Sequence, residues 1–143
     1  RANRVVFDVG FVTTAIRGGL RLPTIEVNTA VHYLEGQSAA SEQRYVFAYR
    51  ITLRNAGSAS AQLLSRHWVI TDATGAVEEV RGEGVIGEQP LLNPGEEFEY
   101  TSGTMLKTPV GTMQGEYTFV DDHGQNFEVP IPVFLLSAPN LVH

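Results

Sequence analysis

At 143 residues, 43% hydrophobic and 18% charged, the chain is long enough to bury one core and too apolar to remain disordered. It has no cysteine, which excludes disulfides, thiolate metal sites and cysteine nucleophiles. No apolar run reaches about 18 residues, which excludes a membrane-spanning helix. A net charge of −6 argues against a nucleic-acid or anionic-membrane binder, and the lack of cysteine is compatible with a reducing cytoplasm.

Residues 1–22 read as an N-terminal arm ahead of one domain spanning 23–143. The arm holds four arginines against Asp8, a local charge of +3, while the rest of the chain carries −9. Val5, Val6, Phe7, Val9, Phe11 and Val12 favour an added strand over an amphipathic targeting helix, and Gly18-Gly19 breaks the segment. Ile25, Val27, Val31 and Tyr33 mark the next strand. Tyr45, Phe47, Tyr49, Ile51 and Leu53 then alternate with Arg44, Val46, Ala48, Arg50, Thr52 and Arg54, the pattern of a half-buried strand. A slip of one residue would turn that aromatic row to water, so its register is strongly specified.

Leu63 to Thr71 is strand-like, and Asp72-Ala73-Thr74-Gly75 turns the chain into a strand over Val77–Arg81. Asn93-Pro94-Gly95-Glu96 places proline and glycine where a type II turn needs them. Phe98 and Tyr100 open another strand, Met113, Tyr117 and Phe119 the next, and Asp122-His123-Gly124 turns into the last. There Phe127, Val129, Ile131, Val133 and Leu135 share one parity and Pro130 and Pro132 the other, which predicts a sheet edge because proline has no N–H. About eight strands at roughly ten-residue spacing predict an all-β fold, a two-sheet antiparallel β-sandwich of fibronectin type III or immunoglobulin-like kind. Trp68 would occupy the buried tryptophan position of such domains, and a closed barrel is the alternative.

Three groups of residues could carry chemistry. Gly82-Glu83-Gly84-Val85-Ile86-Gly87 fits G-x-G-x-x-G, so Gly82, Gly84 and Gly87 could form a backbone anion nest. A dinucleotide site also needs a helix directly afterwards, and Pro90, Pro94 and Gly95 leave no room for one. Asp121, Asp122 and His123 could offer oxygen and imidazole ligands to a divalent ion, although Asp and Gly are also what a hairpin turn prefers. None of His32, His67, His123 and His143 stands in a local metal-binding spacing, so no cofactor is expected. Hydrolysis would have to bring Ser65 or Ser102 together with a histidine such as His67 and an acid, and no G-x-S-x-G elbow is present. In Ser65-Arg66-His67-Trp68, an inward Trp68 puts Arg66 on the same face, where it needs a bulge, a long packed stem or a partner. Arg66, His67 and Glu83 are therefore the candidates for contact with a partner. Arg44, Arg50 and Arg54 read as a solvated, salt-bridged face.

The segments RYVFAYRITLRN, LLSRHWVITDATG, VRGEGVIGEQPLLNPGEEFEYTSG, GTMQGEYTF and VPIPVFLLSAP, in that order from about Ile25 to His143, resemble the bacterial ApaG family, also called CorD. That resemblance implies an immunoglobulin-like or fibronectin type III sandwich without established enzymatic activity. It also implies genes beside a diadenosine-tetraphosphate hydrolase, an association with cobalt and magnesium homeostasis, and protein recognition by related eukaryotic domains. The family's glycine loop, discussed for pyrophosphate binding, falls on Gly82, Gly84 and Gly87. The expectation is a non-catalytic, cytoplasmic protein-binding module, with a nucleotide, pyrophosphate or divalent-ion sensor as the alternative. A homodimer joined at a sheet edge is compatible with such a sandwich.

Overall fold

The computed structural model describes Asn3–Phe7, as backbone, and residues 22–139. Val9, Phe11, Val12 and His143 lie outside the described residues. Among the described residues nine strands follow in chain order: β1 (Asn3–Phe7), β2 (Ile25–Tyr33), β3 (Tyr45–Asn55), β4 (Ala61–Asp72), β5 (Val77–Glu83), β6 (Leu91–Leu92), β7 (Glu97–Leu106), β8 (Val110–Asp121) and β9 (Asn126–Ser137). They form two antiparallel sheets. One has the order β1-β2-β3-β7, the other β5-β4-β8-β9, with short β6 paired to the start of β4. Two 3₁₀ turns, Glu35–Gln37 and Ala40–Glu42, are the helical elements among the described residues.

The alternation in β3 places Phe47, Ile51 and Leu53 fully inside, with Tyr49 nearly so. From the facing sheet come Leu63, Met113, Tyr117, Phe119, Val129 and Phe134, each almost completely excluded from water. Trp68 is buried as predicted, its ring meeting Tyr49, Tyr117 and Phe134 edge-on at centroid distances of 5.3, 6.2 and 5.9 Å. Such pairs add about 0.5–1.5 kcal/mol each beyond the area they bury. On the outer face Arg54 and Arg50 pair across strands with Glu26 and Glu99, while Arg44 meets Glu42 beside its own turn.

Two bulges reset the side-chain alternation. In β4, the pairing with β8 shifts between Leu63 and Ser65, so Leu64 is the extra residue. Ala61 and Leu63 point inward before it, and Trp68 and Ile70 after it. In β9, Pro132 and Val133 together face Gln114, because the register passes from Gly115↔Ile131 to Met113↔Phe134. This corrects the single parity read for Phe127 through Leu135. Val129 and Ile131 are buried as expected, but Phe134 and Leu136 follow them inside, leaving Val133 and Leu135 55% and 40% exposed. A bulge admits one unpaired residue and thereby exchanges the two faces of the strand beyond it. β9 is the margin of its sheet, where its prolines cost least.

Contacts between β2 and β9 close one side of the sandwich. On the other side β7 and β5 are the margins of their sheets among the described residues, and the two sheets part into a cleft.

Candidate functional site

The cleft is organised by Arg66. Beyond the Leu64 bulge, the inward residues of β4 are Arg66, Trp68 and Ile70, so a cation stands on the core-facing side near its open margin. Arg66 lies across from Gly82 on β5 and Tyr117 on β8. A Cβ at position 82 would lie 2.7 Å from Nη1 and 2.8 Å from Cζ of Arg66; the guanidinium therefore occupies the space a side chain would take. Its Nη1 donates to the carbonyl oxygens of Glu83, at 3.1 Å, and Gly84, at 2.8 Å. Among the described residues no carboxylate pairs with it.

Two hollows of about 360 and 350 Å³ meet at Tyr49, Arg66, Trp68 and Ser102. One runs toward Glu78 and Met105, the other toward Ile86 and Tyr100. Met105 and Ile86, 50% and 59% exposed, form an apolar rim on either side of the polar floor. Burial pushes the Tyr49, Tyr100 and Tyr117 hydroxyls above the ordinary phenolic range, and in each the nearby charge of Arg66 opposes that rise. Tyr100 and Tyr117 hydrogen-bond through their hydroxyls. All three phenols are consequently neutral near pH 7; Tyr49 and Tyr100 line the hollows, while Tyr117 lies fully buried behind them and is engaged with Tyr100. The arrangement is suited to holding an anion.

The glycine motif joins this site through its backbone. Gly84, Ile86 and Gly87 take positive φ values of 64°, 49° and 73°, folding the segment into a tight loop closed by reciprocal Val85–Glu88 backbone hydrogen bonds. The Gly84 N–H donates to Leu64 and so ties the loop to the β4 bulge. The N–H groups of Gly84, Val85 and Glu88 are spent on these bonds, and the chain continues through Pro90 into β6 with no helix. Gly82 makes room for Arg66, while Glu83 lends its carbonyl and leaves its side chain exposed.

The other singled-out residues lie elsewhere. His67 is on the outer face of the β4 sheet, its Nε2 and Nδ1 each 2.7 Å from a carboxylate oxygen, of Glu79 and Glu116 respectively. These two hydrogen bonds raise its pKa above the ordinary imidazole value. Both ring nitrogens are thus engaged, and Ser65 is not among their partners. The Asp121 carboxylate accepts the N–H groups of His123 and Gln125, and the Asp122–His123 pair, 3.6 Å apart, is exposed. Among the described residues no three His, Asp or Glu side chains gather in a metal-binding cluster, and no helix is long and apolar enough to cross a membrane. Tyr49 and Ser102 belong to the cleft although the pattern of the chain marked Tyr49 only as core. Nothing in the order of residues reveals that Ser102 lines the same hollows as Arg66, from the other sheet.

An all-β sandwich with an arginine-centred cleft at its open side is the class of domain these features define. The chain belongs to the ApaG family: the ApaG domain model matches residues 35–121. It is 60% identical over 119 residues to the ApaG protein of Thiobacillus denitrificans, covering 83% of this chain and 92% of that one. Identity to the ApaG protein of Escherichia coli is 50% over 121 residues, covering 85% and 97%. The structure also resembles a crystal structure of a Bordetella pertussis protein given the name ApaA, with a TM-score of 0.82, 52% identity and 85% and 98% coverage.

Proposed function

We propose that this chain is a non-catalytic module that recognises another protein through the cleft between β5 and β7. The carrying observation is the combination of an apolar rim, Ile86 and Met105, around a polar floor centred on Arg66, at a side of the sandwich bordered by two sheet margins. Exposed apolar groups beside a charged anchor are the composition of a contact surface, and a sheet margin can add backbone hydrogen bonds to a bound strand. The non-catalytic reading is supported by the placement of His67, whose nitrogens are held by two glutamates on the face opposite Ser102. The cysteine-free composition suits a cytoplasmic setting.

Affinity capture from native lysate tests this reading. Proteins retained by the wild-type chain are expected to be lost with Ile86→Glu plus Met105→Glu and kept with Val133→Lys, a change on the far margin. Equal retention by all three chains would refute the cleft as the surface. Turnover of a dinucleoside polyphosphate by the purified chain, abolished by Ser102→Ala, would refute the non-catalytic reading.

A further inference from the structure

Resting on that reading, we propose that the cleft takes a single carboxylate, the side chain of an Asp or Glu within an extended segment of the partner, held by Arg66 with Tyr49 and Ser102. A guanidinium has five N–H donors. Nη1 is committed to the carbonyls of Glu83 and Gly84, whereas Nε and Nη2 have no hydrogen-bond partner among the described residues. Those two carbonyl bonds and the side-chain-free surface of Gly82 hold the guanidinium in place before any ligand arrives. An anchor fixed in advance loses little entropy on binding. The hydroxyls of Tyr49 and Ser102 lie on the same floor, and with Ser102 interacting with the Tyr49 oxygen the Tyr49 O–H is left as a further neutral donor.

The charge of the ligand follows from what surrounds it. Arg66 is the one cation among the lining residues and Glu78 lines the same cleft, in a chain of net charge −6. A monoanion is balanced by one guanidinium; a phosphate dianion would leave uncompensated charge beside Glu78. The two hollows exceed what one carboxylate side chain fills, and their rim residues Ile86 and Met105 are apolar, so flanking apolar residues of a peptide complete the fit.

The test is a titration of the ¹⁵N-labelled chain with the blocked peptide acetyl-Val-Glu-Val-amide, its glutamine counterpart, acetate and inorganic phosphate. The glutamate peptide is expected to shift the resonances of Ser102, Gly103, Gly84 and the Trp68 indole, and to bind roughly tenfold or more tightly than the glutamine peptide. Arg66→Ala should erase that preference, and Arg66→Lys, which keeps the stem and charge but loses the fork, should erase most of it. Equal binding of the two peptides, full preference in Arg66→Lys, or acetate or phosphate binding as tightly as the glutamate peptide would overturn the inference. Silence of the glutamate peptide at millimolar concentration would also overturn it, and the capture experiment with the rim variants would still decide the binding-module reading separately.

Discussion

Arg66 can face inward because Gly82, not another side chain, stands across from it, and because two backbone carbonyls accept its protons. Gly82→Ala should therefore move the guanidinium while sparing the fold. The obstructing atoms belong to the end of a flexible side chain, and we expect a stability loss under about 1 kcal/mol. Thermal denaturation checks the stability, and a shifted Arg66 Hε resonance checks the displacement. On the outer face, His67 bridges Glu79 and Glu116, and neutral imidazole has only one N–H for two carboxylates. Its folded pKa lies above the ordinary value of 6.5, so the bridge contributes fully below that pH and is lost as pH rises through the folded value. His67→Gln should accordingly cost more stability near about pH 6 than near about pH 9, with the difference shrinking in high salt. Urea denaturation at the two pH values measures it, and an equal cost at both would rule out a protonated bridge. That His67 flanks two carboxylates was not legible in the chain, since Glu79 and Glu116 come from strands 12 and 49 positions away.

At the scale of the strand, alternation was readable wherever pairing is regular and misleading wherever a bulge intervenes. β3 follows its period of two from Phe47 to Leu53 without interruption. In β9 the same rule fails after Ile131, because Pro132 and Val133 share one opposing residue. Phe134→Ala should cost about 3–5 kcal/mol, the range for emptying a buried aromatic site, while Val133→Lys should change stability by less than about 0.5 kcal/mol. Chemical denaturation of the two variants separates the bulged strand from a regular one, which would make Val133 the costly position. The Leu64 bulge shapes the candidate site, since beyond it Arg66 faces the cleft and His67 the outside. The turns were more legible than the bulges. Asp72 and Asp121 each gather N–H groups from the residues that follow, and Gly95 adopts the positive φ of 86° that its type II turn requires.

For the molecule as a whole, a buried amide side chain helps to join the two sheets. Asn55, completely excluded from water at the end of β3, donates to the carbonyls of Ala59 and Leu92 and accepts the N–H groups of Gly57 and Thr24. Asn55→Ala would strand four backbone groups and should cost about 2–4 kcal/mol, measured by equilibrium unfolding with heat or denaturant. A loss below about 1 kcal/mol would show that water replaces the side chain. Composition, strand period and turn residues sufficed to determine the fold class, because they depend on neighbours along the chain and on which face must leave water. The family resemblance, too, lies in contiguous blocks of residues. The cleft was decided only in three dimensions. That Arg66 shares the inward face of Trp68 was legible from strand parity, but the cleft around it is assembled from β3, β4, β5 and β7, and a missing Cβ and two carbonyls on another segment hold its guanidinium. Such through-space coincidences leave no periodic trace, since each depends on the register between strands and not on the residues adjoining it.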